Sequence, residues 1–264
     1  MSRTQEKDQG RSGEPKLTEE QVADMADRDP RGLQKTKKDG PHDEAHTVKK
    51  AKAMYLKMLH VVVPLISQAC AWGTYLVLAY GPGPLSTFSN AFRAQSAAKF
   101  AFLREHDLGW VYLAVWITAQ ARARLVVNAN AMRAGARVGR PDQHAYITMD
   151  VAAARPEESA PLVLMANTGA AGRFNRAQRG VFNTDEGMPL FLANLVLSGC
   201  VFGPVVVVLA LLAGFGRIKF ALGYTEGTDK RTAGFLPALV AETWAAGLVL
   251  LIAIKTLAGD RIPF

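Results

Sequence analysis

The sequence predicts an all-α membrane protein with five membrane-spanning helices. The apolar residues are concentrated between about residues 58 and 257, in long runs without charge, whereas the first fifty-odd residues are almost all polar. The apolar runs are also long enough to cross a bilayer as helices, which takes about 20 residues each. The composition of the whole chain, 264 residues with 49% hydrophobic side chains, is therefore the average of a polar tail and a membrane body.

Residues 1–54 are predicted to be an N-terminal tail that is disordered or is ordered only by a partner. They carry nearly balanced charges and few large apolar side chains, so they cannot bury enough surface to offset chain entropy. One short helix is expected from Thr18, because Thr18 and Gln21 have capping-box spacing before Val22 and Met25. The polar start predicts no cleavable secretory signal, which needs an early apolar stretch.

Residues 55–107 are predicted to form an additional transmembrane helix followed by an interfacial segment. Residues 58–80 contain no Asp, Glu, Lys or Arg, and the breaker Gly-Pro-Gly-Pro at 81–84 ends the run. The next segment has apolar residues at amphipathic spacing: Phe88, Phe92, Phe100 and Leu103. Such a helix either lies in the membrane interface or packs on protein, and the sequence leaves both open.

Residues 108–257 are predicted to contribute four further spans. The first begins near Leu108, and we expect it to leave the membrane near Arg122 and Arg124 and to continue into water. Its continuation leads into a linker at 138–172, which has no clear hydrophobic periodicity.

The uncharged stretch at 187–215 is too long for a single ordinary span. Gly203-Pro204 lies inside it, which predicts a tight hairpin between two antiparallel helices. The last span covers about residues 232–254 and is interrupted only by Glu242, and residues 258–264 form a C-terminal tail.

Basic residues flank these spans unevenly. With five spans, three basic groups fall on one side of the membrane: Lys49, Lys50, Lys52 and Lys57; Arg133, Arg137, Arg140, Arg173, Arg176 and Arg179; and Arg217, Lys219, Lys230 and Arg231. The positive-inside rule then places the N-terminus, the linker and the loop around Tyr224 on the cytosolic or equivalent side. The asymmetry gives sidedness but not the organelle, so the endoplasmic reticulum and a mitochondrial or plastid membrane all fit.

The remaining composition argues against several other classes of protein. The net charge of +8 lacks the basic helix or sheet face of a nucleic-acid-binding protein, and basic residues beside apolar runs indicate membrane orientation instead. Cys70 and Cys200 both lie in apolar runs, so no disulfide framework is predicted. The histidines are scattered without metal-ligand spacing, and we predict no metal site.

A polar constellation precedes the uncharged stretch. Arg179, Asn183 and Glu186 are spaced i, i+4, i+7, so they project from one helical face. A cation, an amide and a carboxylate in one row suit a zwitterionic ligand, because Arg binds a carboxylate and Glu an ammonium group. The alternative is a solvated helix end with ordinary intrahelical pairs.

A second constellation lies between the last two spans. Arg217 and Tyr224 are two helical turns apart, and Arg231 opens the following helix. A tyrosine hydroxyl and an arginine beside a bound thiol favour its thiolate, which is the reactive nucleophile. The alternative is that Lys230 and Arg231 serve only as a positive-inside anchor.

Together these blocks resemble the MAPEG superfamily, the membrane-associated proteins of eicosanoid and glutathione metabolism, and most of all the microsomal glutathione transferases. The resemblance covers about residues 108–257. It rests on the order and spacing of three blocks: Gln178-Arg179…Asn183…Glu186…Pro189, Gly203-Pro204, and Gly216-Arg217…Gly223-Tyr224…Lys230-Arg231…Gly234-Phe235.

The resemblance implies a four-helix membrane bundle that forms a homotrimer and binds glutathione between neighbouring subunits, near the cytosolic face. It implies a glutathione-dependent transferase or peroxidase acting on lipophilic electrophiles delivered through the bilayer. The residues at matching positions are Arg133, Arg179, Asn183, Glu186 and Arg217 for binding glutathione, with Arg231 and Tyr224 activating its thiol.

Three positions depart from the family pattern. Val181 stands where Gln or His is common, Gly187 where an aromatic residue is frequent, and Phe220 where a tyrosine is usual. Each change is expected to remove a hydrogen-bonding group or a ring from the pocket. With the added helix and tail, they favour an alternative function: a catalytically inactive MAPEG-like subunit that docks into a larger membrane complex.

Overall fold

The computed structural model describes residues 43–81, 86–140, 142–149 and 162–259. Across these ranges the chain forms six helices and one two-stranded sheet. The helices are α1 (Glu44–Tyr80), α2 (Ser86–Glu105), α3 (Gly109–Ala136), α4 (Gly169–Gly199), α5 (Gly203–Glu226) and α6 (Thr232–Ala258). The helix expected from Thr18 and most of both predicted tails lie outside the described residues.

α1 begins inside the segment predicted to be a tail. Asp43 caps it by accepting a hydrogen bond from the backbone N–H of His46 at 3.0 Å, and Glu44 places negative charge in the first turn. A π-helical turn at Met58–Val62 precedes Pro64, which has no N–H to donate to a regular helical ladder. The polar start of α1 is ordered because it packs along α3.

α2 confirms the helix predicted after the Gly-Pro breaker. It packs against the second half of α1: the ring of Tyr75 lies 6.3 Å from the rings of both Phe92 and Phe100, and the Arg93 guanidinium lies 5.3 Å from the centroid of Tyr80. α2 therefore contacts protein on one side. Its other aromatic residues, such as Phe102, stay more than half exposed.

α3 to α6 form a four-helix bundle around small side chains. One core cluster contains Ala114, Phe191, Leu195, Val206, Leu209, Ala210, Ala213, Ala241 and Ala245. Small residues allow membrane helices to approach closely. A Cβ added at Gly234 of α6 would lie 2.6 Å from the Cα of Phe220 and 2.5 Å from the carbonyl oxygen of Gly216, so α5 and α6 are in backbone contact there.

The hairpin between α4 and α5 confirms the interpretation of Gly203-Pro204. α4 ends at Gly199 and α5 begins at Gly203, with Pro204 in the first turn, where its missing N–H leaves no bond unmade. A Cβ at Gly203 would lie 3.0 Å from the ring of Trp110, so the turn packs on the start of α3.

The linker holds more structure than its sequence predicts. β1 (Tyr146–Met149) and β2 (Leu162–Met165) form an antiparallel pair. Asn175 of α4 secures it: its Nδ2 donates to the carbonyls of Ala145 at 2.8 Å and Ala166 at 2.7 Å, and its Oδ1 accepts from the N–H of Ala145 at 2.8 Å. Strands of four residues are too short to show a clear alternation of apolar and polar residues in the sequence.

The helix ends agree with the predicted grouping of basic residues at one end of the bundle. Arg173 at the start of α4 forms an ion pair with Glu44 at the start of α1, with Nε 3.0 Å from Oε1. Arg176 donates to the carbonyl of Thr225 near the end of α5 at 3.2 Å. The starts of α1, α4 and α6 and the ends of α3 and α5 therefore lie together; we call this the basic end.

By apolar length and composition, α1, α5 and α6 can each cross a membrane. α3 and α4 do not meet the same criterion, because charged residues such as Arg122, Arg124, Asp185 and Glu186 interrupt their apolar runs. α3 also continues without a break past Arg122, which pairs with Asp185 across the bundle. An ion pair between two helices reduces the free-energy cost of placing its charged side chains within the membrane.

Candidate functional site

The predicted row of polar residues on α4 is present. Arg179 Nη1 lies 3.2 Å from Glu186 Oε1, across two turns of the helix, and their side chains are 51% and 62% exposed. Exposed pairs of this kind contribute about 0–1 kcal/mol to stability. The pair can therefore open at little cost, which leaves a cation and a carboxylate on one face of α4 for a zwitterionic ligand.

Arg217 of α5 has a different environment. Its Nε and Nη2 donate to Glu242 Oε1 of α6 at 2.9 and 2.6 Å, and its Nη1 donates to the backbone carbonyl of Asn183 at 3.4 Å. Arg217 thus connects three helices. The bare Cα of Gly187 leaves space beside it, since a Cβ there would lie 3.4 Å from Arg217 Nη2.

Tyr224 and Arg231 meet at the turn between α5 and α6. The Arg231 guanidinium lies 5.5 Å from the centroid of the Tyr224 ring, and it forms no ion pair with any residue that the structure describes. Gly223 permits the tight turn, because a Cβ there would lie 3.0 Å from the carbonyl carbon of Lys230. The arrangement places a cation without an ion-pair partner among the described residues beside the ring of Tyr224 at the basic end.

Arg133 is turned toward the linker. Its Nη1 donates to the carbonyl of Gly139 at 2.8 Å and to that of Asp142, and its guanidinium lies 4.7 Å from the ring centroid of Phe174. Arg133 holds the start of the linker against α3 and α4, and its contact with glutathione stays a prediction.

The predicted site residues therefore form four local groups at or near the basic end. Arg179 pairs with Glu186, Arg217 contacts the backbone of Asn183, and Tyr224 contacts Arg231, with Arg133 apart from them. No hydrogen bond or ion pair among the described residues joins the α4 row to the Tyr224–Arg231 pair. A ligand that touched both groups would have to bridge them.

The sequence did not single out Asp185, which pairs with Arg122. Its Oδ1 and Oδ2 accept hydrogen bonds from Arg122 Nε at 2.7 Å and Nη2 at 2.8 Å. Arg122, Arg217 and Glu242 line one crevice between the four bundle helices. Arg122 and Asp185 are visible in the sequence as opposite charges in α3 and α4, but no local pattern identifies them as partners.

Two of the three departures from the family pattern prove to be core residues. Val181 is 5% exposed and packs with Leu125 and Ala221, and Phe220 is 7% exposed. Positions 179 and 181 are about 200° apart around a helix, so Val181 points away from the row that contains Arg179. Val181 therefore does not belong to that row, and its expected effect on the pocket stays a prediction.

Comparison with known protein families identifies the bundle. The sequence model of the MAPEG family matches residues 107–251, which is more than half of the chain. The chain belongs to the MAPEG family. The match covers α3 to α5 and most of α6, so α3 and α4 are part of a family bundle in the membrane despite their charges.

As a MAPEG protein, the chain is an integral membrane protein with a helical bundle. The matched segment contains all seven predicted site residues, and α1 and α2 precede it. No curated protein matches the chain at a significant level.

Proposed function

We propose that this MAPEG protein is a glutathione-dependent transferase or peroxidase that acts on lipophilic electrophiles reaching it through the bilayer. The observation that carries the proposal is the Arg231 guanidinium beside the Tyr224 ring, with no carboxylate paired to it among the described residues. Without a counter-ion among the described residues, this cation is available to stabilise a thiolate, and Arg179 lies in the half of α4 that begins at the basic end.

In this proposal the α4 row binds the two charged ends of glutathione. Arg179 holds a carboxylate by charge-assisted hydrogen bonds, Glu186 holds the α-ammonium group, and Asn183 contributes its amide. The internal Arg179–Glu186 pair is exchanged for two pairs with the ligand. Because the internal pair is exposed and weak, that exchange costs little.

Arg231 and Tyr224 then act on the thiol. The positive charge of Arg231 lowers the pKa of the thiol, and the Tyr224 hydroxyl donates a hydrogen bond to the thiolate. In a transfer reaction the thiolate forms a sulfur–carbon bond with the electrophile, whose leaving group departs with its electron pair. Arg217 has a positioning role, since it holds the Asn183 backbone against α6 through Glu242.

The proposed assembly is a homotrimer that binds glutathione between subunits. Arg179, Glu186 and Arg231 are all exposed in one protomer, which supports a site that a neighbouring subunit completes. We place the basic end on the cytosolic or equivalent side of an endoplasmic reticulum, mitochondrial or plastid membrane, because the positive-inside rule favours that side for clustered Lys and Arg.

The test is equilibrium binding of glutathione to the detergent-purified full chain, followed by turnover of a lipophilic electrophile. We expect saturable binding that Arg179→Ala weakens at least ten-fold. Arg231→Ala should retain binding but lose most of the turnover, whereas Lys230→Ala, which removes an adjacent positive charge, should change neither by more than about two-fold. Normal turnover in Arg231→Ala would refute the mechanism.

A second candidate function is that of a non-catalytic subunit in a larger membrane complex. The observation that favours it is the apolar window of α1, none of which is buried within the protein. In this case the chain co-purifies with other membrane subunits, and neither Arg179→Ala nor Arg231→Ala alters that association. Isolation as a free homotrimer that binds glutathione would contradict it.

A further inference from the structure

A crevice between α1, α3 and α5 contains two cations and no carboxylate. Lys52 of α1 and Arg124 of α3 line it together with Asn128 and apolar residues such as Ile218 and Leu222. The crevice depends on α1, which lies outside the segment matched by the family. It is separate from the α4 row and from the turn between α5 and α6.

The two cations have no carboxylate partner among the described residues, whereas several other arginines of the protein do. Arg122, Arg173 and Arg217 each pair with a carboxylate. Among the described residues neither Arg124 nor Lys52 forms an ion pair, and Arg124 contacts the ring of His60, with Nη1 3.3 Å from Nε2.

The crevice also contains a buried acceptor without a donor. Asn128 is 3% exposed, and its Oδ1 has no hydrogen-bond partner in the part of the chain that the structure describes. Its orientation is fixed by its neighbour: Thr225 Oγ1 donates to the carbonyl of Ala221 at 2.7 Å, so Asn128 must donate its Nδ2 to Thr225, at 2.9 Å. If the amide of Asn128 were flipped, its Oδ1 would face the Thr225 hydroxyl. That hydroxyl already donates its proton to Ala221, so two acceptors would face each other. An unpaired buried acceptor costs about 1–3 kcal/mol, which a ligand with a donor would recover.

The position of the crevice identifies the membrane layer that it faces. Lys52 precedes the uncharged run of α1, which starts at Met58, by six residues, or about 9 Å of helix. Lys52 therefore lies at the depth of lipid headgroups, at the basic end of the bundle, and Arg124 lies beside His60, the third residue of the uncharged run. Basic pockets between membrane helices at this level are suited to anionic lipid headgroups.

We infer that this crevice binds the headgroup of an anionic phospholipid. The phosphate lies at the mouth of the crevice between Lys52 and Arg124, and a hydroxyl of the headgroup reaches Asn128 Oδ1 through a bridging water, because the crevice itself has room for about one water. The acyl chains extend along the exposed apolar surface of α1, which includes Leu65 and Ile66. The ligand thus connects α1 to the family bundle at a place where the protein itself supplies only positive charge.

The experiment is native mass spectrometry of the detergent-purified full chain titrated with dioctanoyl phosphatidylglycerol, which has a phosphate and free hydroxyls. Dioctanoyl phosphatidylcholine, which has a phosphate but no hydrogen-bond donor and no net charge, is the lipid control. Inorganic phosphate is added as a competitor. Unfolding midpoints without added lipid verify that each variant is folded.

We expect saturable binding of phosphatidylglycerol in preference to phosphatidylcholine. Lys52→Gln and Arg124→Gln should each weaken it about five-fold, since each cation near a headgroup contributes about 1 kcal/mol. Lys50→Gln, which removes the same charge from an exposed position on α1, should leave the affinity within about two-fold. Asn128→Leu should reduce the preference for phosphatidylglycerol while the chain remains folded.

Two results would overturn the inference. If Lys50→Gln weakens binding as much as Lys52→Gln, the attraction belongs to the basic surface in general and not to the crevice. If inorganic phosphate at millimolar concentration displaces phosphatidylglycerol, the crevice recognises a soluble phosphate and the lipid assignment is wrong.

Discussion

Replacement of Arg217 by methionine should strongly destabilise the bundle. The Arg217–Glu242 pair joins α5 to α6 with a closest distance of 2.6 Å, and its side chains are only 20% and 27% exposed. Methionine fills much of the same volume but leaves the Glu242 carboxylate without its partner. It also removes the hydrogen bond to the Asn183 carbonyl of α4.

The size of the effect follows from the charge left behind. Removing one partner of a buried ion pair costs about 3–5 kcal/mol, because the remaining charge is desolvated and uncompensated. Replacing both partners with apolar residues removes that penalty. We therefore expect Arg217→Met to lower the free energy of unfolding by about 3 kcal/mol, and the double variant Arg217→Met/Glu242→Leu to recover at least half of the loss.

Equilibrium unfolding in mixed detergent micelles, followed by circular dichroism, measures these differences as a double-mutant cycle. Glu186→Gln is the control: it disrupts an ion pair whose side chains are both more than half exposed, so the expected change is within about 1 kcal/mol. The reasoning would be refuted if the losses of unfolding free energy in Arg217→Met and in Glu242→Leu simply added in the double variant, with no recovery.

Three further predictions concern packing and docking. Glu44→Gln weakens the ion pair with Arg173 that holds the start of α1, so amide exchange in the first turns of α1 should accelerate about five-fold, as expected for a loss of about 1 kcal/mol. Gly234→Ala places a Cβ 2.5 Å from a carbonyl oxygen of α5 and should lower the unfolding free energy by about 1–3 kcal/mol in thermal or detergent denaturation, whereas Gly247→Ala, with open space around it, should not. Asn175→Ala removes three hydrogen bonds to the segments flanking β1 and β2, and should increase proteolysis of the linker while the helical circular dichroism is retained.

The sequence alone determined the helical class, the positions of the apolar runs and the hairpin at Gly203-Pro204. These are local properties, because hydropathy over some 20 residues and the punctuation of Gly and Pro need no knowledge of neighbouring elements. The blocks around Arg179 and Tyr224 were likewise sufficient to reveal the family, because their spacing is read along the chain. The common end for the basic groups followed from counting spans.

Only the tertiary structure decided which charges are partners and which side chains are in the core. Arg122 pairs with Asp185 across 63 positions of sequence and Arg217 with Glu242 across 25, and no local pattern relates such residues. The polar start of α1 is helical because α3 supports it, and Val181 is buried because its side of α4 faces α3 and α5. Pairing and burial are properties of contacts between helices, and they exist only once the helices have been brought together.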